Sequence, residues 1–176
     1  MQLQIEKTDA ARILKDALIV APKKSPKAIH TFLLLEAANG ANELRVTASD
    51  HGELVYTSSV AANVTVAGKV CVNAQDMAKV VRSLPVGIVE ISLGDAPLLS
   101  GNVEAAPELE LKNEERGVPL VLKGGRAKFS LETLPASEYP AVDWQSEDVK
   151  PAHMGAGDLL RLVNKTLYAT SLEETR

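Results

Sequence analysis

The chain has 176 residues, of which 45% are hydrophobic and 24% are charged, and its net charge is −4. This length and composition allow one buried core and part of another, and they exclude collagen-like and wholly disordered proteins. A single cysteine excludes an internal disulfide and a multi-cysteine zinc site, and no apolar run reaches the length of a membrane span, so we expect a cytoplasmic protein.

Strand patterns dominate the sequence, and turn residues separate them. Asn39-Gly40 and Gly124-Gly125 favour tight hairpins because both positions of each pair tolerate positive φ. Hairpins join antiparallel neighbours, so we predict mainly antiparallel sheets. In chain order, the runs that predict strands are Gln2–Glu6, Thr31–Ala37, Glu43–Thr47, Glu53–Val60, Lys69–Val72, Ile88–Leu93, Glu108–Leu111, Leu120–Leu122 and Ala127–Leu131.

Three segments show helical periodicity instead: Asp9–Val20, Asn73–Leu84 and Asp158–Tyr168. Each has one apolar stripe, and Asn73 is a suitable N-cap for the second helix. Together with the strands, these helices predict an α+β fold.

The three predicted helices share a pattern of Asp, two residues and a base, starting at Asp9, Asp76 and Asp158. The pattern indicates an internal repeat of one helix plus several strands. Bases that recur on equivalent helices can line up as a surface that contacts phosphates without reading sequence, although ordinary solvent-facing bases remain the alternative. These bases are Arg12, Lys15, Lys79, Arg82, Arg161 and Lys165.

A Pro-bounded loop after the first helix adds three more cations, Lys23, Lys24 and Lys27. Lysine neutralises phosphates through its charge alone. We therefore include this loop in the candidate phosphate-contacting surface.

The sequence offers little for catalysis. The histidines, His30, His51 and His153, have no zinc-binding spacing, and no phosphate-binding loop is present, so we predict neither a metal nor a cofactor. Asp50 and His51 follow a predicted strand, which leaves a small α+β enzyme using these two residues as an alternative function.

Several segments together resemble the bacterial DNA polymerase III sliding clamp, the beta subunit. The most specific is Gly125-Arg126 followed by Phe129-Ser-Leu, Leu134-Pro135 and Tyr139-Pro140. The others are Leu3–Val20, Phe32–Gly40, Ala48-Ser49-Asp50, Val70–Asp76, Val80–Pro85 and Ala169–Arg176.

The resemblance implies a DNA-clamp fold with two helix-plus-antiparallel-sheet units in each domain. It also implies a non-enzymatic processivity factor. In the complete protein, two subunits would pair head to tail as a homodimer ring around double-stranded DNA, and the ring would bind a clamp loader and DNA polymerase III. Here we expect a fragment: residues 1–148 would form the first domain, with an acidic insertion at 94–118, and residues 149–176 would hold the first helix of an incomplete second domain. A clamp-fold interaction module without DNA binding is a further alternative.

The resemblance also assigns individual residues. Lys24 and Arg176 match DNA-facing arginines, and Asp76 stands where the family often has a base, which alters the expected charge pairing between subunits. The patch that would meet the second subunit consists of Val80, Leu84, Phe129 and Leu131, with Arg126 and Lys128 at its rim.

Overall fold

The computed structural model describes residues 1–38, 40–50, 54–94, 118–140 and 153–169. They fall into two units, Met1–Val142 and Asp143–Arg176. The expected strand Glu108–Leu111 and almost all of the acidic insertion lie outside the described residues.

The first unit contains two antiparallel sheets, which confirms the predicted α+β class. The first sheet has the order β5-β1-β7-β8-β9, formed by β1 (Gln2–Glu6), β5 (Asn63–Val66), β7 (Ile88–Leu93), β8 (Leu120–Gly124) and β9 (Ala127–Leu131). The second has the order β10-β6-β2-β3-β4, formed by β2 (Phe32–Ala38), β3 (Glu43–Asp50), β4 (Leu54–Ala61), β6 (Gly68–Asn73) and β10 (Thr133–Leu134).

Two helices pack against these sheets, α1 (Lys7–Val20) and α2 (Ala74–Ser83). Each follows a strand without a loop, so the chain repeats a unit of strand, helix and meander. The first strand of each repeat joins the sheet of the other repeat: β1 pairs with β7, and β6 pairs with β2. The two sheets thus have equivalent strand orders, with β9 and β4 at equivalent edges, and the predicted internal repeat is visible in the topology.

One hydrophobic core joins the sheets and helices. Strand residues of alternating burial, such as Leu3 and Ile5 of β1, face inward, while Gln2, Gln4 and Glu6 face solvent. The buried stripe of α1 is Ala10, Ile13, Leu14, Ala17 and Val20, and that of α2 is Ala74, Met77, Ala78 and Val81.

Local signals account for several of the element ends. Asn73 caps α2 as expected, since its side-chain oxygen accepts from the amides of Gln75 and Asp76 at 3.0 and 3.2 Å. The predicted β8–β9 hairpin forms, but its turn consists of Gly125 and Arg126, because Gly124 pairs with Ala127 in the ladder. Gly125 has a φ of 57°, a conformation that glycine adopts without a Cβ penalty.

The second unit contains the helix α3 (Ala156–Thr166), followed by a 3-10 turn over Leu167–Ala169. Within the described residues, no helix is both long and apolar enough to cross a membrane.

Candidate nucleic-acid interface

The predicted bases of α1 and α2 all lie on the exposed sides of their helices. Arg12 and Lys15 project from α1, and Lys79 and Arg82 project from α2. The apolar stripe of each helix is buried in the core. The two helices therefore each present two cations on the surface of the first unit.

The first base on each helix is held by the aspartate one turn before it. Arg12 Nη2 lies 3.2 Å from Asp9 Oδ1, and Lys79 Nζ lies 2.9 Å from Asp76 Oδ1. All four side chains keep at least 41% of their surface exposed, so these pairs contribute little to stability. Asp76, which departs from the family's common base, is thus engaged by its own helix.

A cleft of about 220 Å³ separates α1 from α2 at the surface. Lys15 and Arg82 flank it, and its floor is apolar, formed by Ala11, Leu14, Leu18, Ala78 and Val81. Adding 67 to Ala11, Leu14 and Lys15 gives Ala78, Val81 and Arg82, the same shift that relates Asp9 to Asp76. The cleft therefore lies between equivalent residues of the two repeats, with one cation from each.

Lys7 connects the two helices at one end of this arrangement. Its Nζ donates to the carbonyl oxygen of Arg82 at 3.1 Å and also to that of Leu84. These carbonyls end α2, where a cation is favoured by the helix dipole. Lys7 was not among the predicted residues, and its role is to fix the start of α1 beside the end of α2.

The loop lysines, Lys23, Lys24 and Lys27, are exposed between α1 and the 3-10 turn Ala28–Thr31. The loop has some internal order, since the Lys27 amide donates to Ser25 Oγ at 3.2 Å. The lysines are thus accessible to phosphate, and their contact with DNA remains a prediction.

In the second unit, α3 repeats the pattern of the other helices. Arg161 Nη2 lies 3.5 Å from Asp158 Oδ1, and Lys165 is exposed in the last turn. Arg176 lies outside the described residues. The predicted apolar stripe of α3 is exposed by 47–61%, at Leu159, Leu160, Val163 and Leu167.

The predicted subunit patch lies at β9, an edge strand of the first sheet. Phe129 and Leu131 share one side of β9 and are half-buried, as is Val80 on α2. The rim residues Arg126 and Lys128 are exposed.

Leu84 does not belong to that surface. It is only 2% exposed and is part of the core, because it directly follows α2 where the chain turns under the β8–β9 hairpin. Its placement in the patch rested on matching position in the sequence, which cannot distinguish a surface residue from the layer beneath it.

The catalytic alternative gains no support from the geometry. Asp50 ends β3, His51 lies outside the described residues, and the neighbouring Ser49 is 2% exposed. Burial, with a smaller contribution from the Glu138 carboxylate, raises the pKa of the Cys71 thiol to about 12, which makes it a poor nucleophile. Across the described ranges, no three His, Cys, Asp or Glu residues lie together as a possible metal site.

Comparison with known proteins gives one family. Residues 1–143 match the family model for the N-terminal domain of the DNA polymerase III beta subunit. The chain is 27% identical over 179 aligned residues to the beta sliding clamp of Caulobacter vibrioides, covering 100% of this chain and 41% of that protein. For the beta sliding clamp of Rickettsia felis the identity is 25%, with 100% and 40% covered.

Solved structures agree. The polymerase III beta structure from Caulobacter crescentus has a TM-score of 0.78 at 27% identity, over 99% of this chain and 41% of that one. The sliding clamp from Bacillus subtilis has a TM-score of 0.80 at 21% identity, over 100% and 42%, and this likeness concerns the fold alone. The chain thus spans about two fifths of the length of the relatives it matches.

Proposed function

The chain belongs to the DNA polymerase III beta subunit family, and we propose that it is the part of a DNA sliding clamp that contacts duplex DNA through α1, α2 and the lysine loop. Its contacts are to phosphates and independent of sequence. It performs no chemistry of its own, needs no cofactor, and acts in the cytoplasm as a processivity factor.

The observation that carries this proposal is the symmetric pair of cations beside the α1–α2 cleft. Lys15 and Arg82 occupy equivalent positions in two repeats, so one unit presents the same charge twice at a fixed spacing. Repetition of this kind suits a polymer whose phosphates also repeat, and it supplies no side-chain pattern for reading bases. The loop lysines are further proposed phosphate contacts of the first unit, and Arg161, Lys165 and Arg176 are those proposed for the second unit, considered separately.

The ring assembly is part of the proposal. Residues 1–148 act as the first clamp domain and residues 149–176 as the entry to the second. The β9 edge, with Val80, Phe129 and Leu131, receives a second subunit head to tail, and Arg126 and Lys128 provide the charged rim. The clamp loader and DNA polymerase III are the partners of the complete ring.

The test is duplex binding by the chain across a salt series, using short fluorescent duplexes of unrelated sequence. Lys15→Ala combined with Arg82→Ala should weaken binding equally for every duplex, and the log–log salt slope should fall by about 0.9 for each lost phosphate contact. Lys123→Ala is the matched control for Lys15→Ala and Arg82→Ala measured singly, because Lys123 is an exposed cation on the outward face of β8.

Strong sequence preference, or an equal loss in the Lys123→Ala control, contradicts the proposal. Salt-insensitive behaviour would favour the clamp-fold interaction module instead. Substrate turnover that depends on Asp50 and His51 would favour the enzyme.

A further inference from the structure

The aspartates in the first turns of the three helices are as regularly placed as the bases they pair with. Asp9, Asp76 and Asp158 each lie in the first turn and pair with the base three residues later, at 3.2, 2.9 and 3.5 Å. Two of these pairs lie on the exposed sides of α1 and α2, outside the set of residues that line the cleft.

Helix capping does not explain the carboxylate of Asp76. The Asn73 side chain already accepts from the amides of Gln75 and Asp76, which satisfies donors at the start of α2. The Asp76 carboxylate is turned to Lys79 instead, and Lys79 Nζ donates to it. On α1, Arg12 Nη2 donates to Asp9 in the same way.

The cations on each helix therefore differ in availability. Arg12 and Lys79 must leave a carboxylate before they can neutralise a phosphate. Within the described ranges, neither Lys15 nor Arg82 lies within ion-pair distance of a carboxylate. The exposed sides of α1 and α2 thus offer a phosphate two available cations, Lys15 and Arg82 at the cleft, and two cations that are already engaged outside it.

We propose that Asp9 and Asp76 withhold Arg12 and Lys79 from the DNA backbone and so keep the affinity of this surface low. The inference rests on the proposed function, since it concerns the same surface. A ring that holds DNA by enclosing it needs contacts weak enough to let the duplex pass, and intrahelical ion pairs provide such a limit without removing the bases.

The experiment compares Asp9→Asn, Asp76→Asn and the double variant with the unmodified chain in duplex binding across a salt series. Each single change should raise affinity roughly 1.5- to 5-fold, the equilibrium ratio that corresponds to an exposed ion pair. The salt slope should steepen by up to about 0.9 for each base released. The double variant should show the product of the two gains, equally for every duplex sequence.

Glu90→Gln is the matched control. It removes the same charge from the outward face of β7, where Glu90 accepts from Gln4, so it tests the effect of net charge alone. A second measurement places Asp9→Asn in an Arg12→Ala background, where the gain should disappear because no base remains to be released.

Three results would overturn the inference: unchanged or weaker binding by the Asn variants, an equal gain from Glu90→Gln, or a gain that persists without Arg12, which would mean direct repulsion of phosphate. Salt-sensitive binding by the unmodified chain with no gain in the variants rejects this inference alone. Absence of salt-sensitive binding in every variant rejects the proposed function as well.

Discussion

Alkaline pH should destabilise the first unit through two buried groups on the outer side of the second sheet. Cys71 is fully buried on β6, and Tyr139 is 7% exposed, with its hydroxyl donating to the carbonyl oxygen of Thr47 at 3.3 Å. Cys71 and Thr47 both lie opposite Leu34 in the ladders, so the segment that carries Tyr139 covers this face. Burial raises the pKa of both groups, with the charge of Glu138 adding to the effect at Cys71 and that of Cys71 at Tyr139.

The direction and size of this loss of stability follow from the pKa of the Cys71 thiol. Its pKa rises from 9.0 to about 12 in the folded protein. Because the folded pKa is raised, the contribution of Cys71 is complete below pH 9 and is lost as the pH climbs toward 12. Each pH unit in that window costs about 1.4 kcal/mol, so at about pH 10.5 the free energy of unfolding should fall by roughly 2 kcal/mol from Cys71 alone. Tyr139 acts in the same direction at higher pH.

Urea unfolding of the unmodified chain and of Cys71→Ala, followed by circular dichroism at neutral pH and at about pH 10.5, measures this difference. The variant should be less stable at neutral pH, because it leaves a small cavity. Between neutral pH and about pH 10.5, its free energy of unfolding should fall by roughly 2 kcal/mol less than that of the unmodified chain. Titration of surface lysines affects both proteins alike and cancels. Parallel declines would refute the reasoning and show that the thiol ionises without unfolding.

Two further predictions concern the proposed contacts. Changing Lys23, Lys24 and Lys27 together to Ala should weaken duplex binding equally for all sequences and lower the salt slope by up to about 2.7. A salt titration of duplex binding by the triple variant measures both effects, and unchanged binding at low salt would contradict the role of this loop. Phe129→Ala with Leu131→Ala should abolish subunit pairing in the complete clamp, since hot-spot residues at interfaces each contribute about 2 kcal/mol or more. Sedimentation measures the pairing and circular dichroism the fold, with Ile88→Ala, an exposed apolar residue on β7, as the control; unfolding by the double change would mean that Phe129 and Leu131 are core residues.

Periodicity and turn chemistry predicted the elements because both are local. Alternation located β1 and β7 correctly, and the helical stripe of Asp9–Val20 identified α1, although the helix begins two residues earlier at Lys7. The short strands β5 and β10 were missed as separate elements. Each pairs with the first strand of a repeat, a partner distant in sequence, so no local pattern reveals them.

The candidate site likewise combines features that local sequence patterns predict with features that depend on the tertiary structure. The shared Asp-x-x-base pattern predicted which bases are exposed and equivalent, because three residues along a helix lie on one side of it. It did not predict that α1 and α2 would form a cleft with Lys15 and Arg82 on its two sides. That arrangement depends on the exchange of β1 and β6 between the two sheets, which is a tertiary feature.

Leu84 shows how the edge proposed for subunit pairing is supported from within. A Cβ added to Gly124 would lie 3.1 Å from Leu84 Cδ2, so the β8–β9 hairpin packs closely on this side chain. The Leu84 carbonyl accepts from Lys7, which ties the same residue to the start of α1. Leu84 therefore links the hairpin that would receive a second subunit to the helices that would contact DNA. Its position near the patch in sequence reflects this support, and a change there would act through the fold of both surfaces.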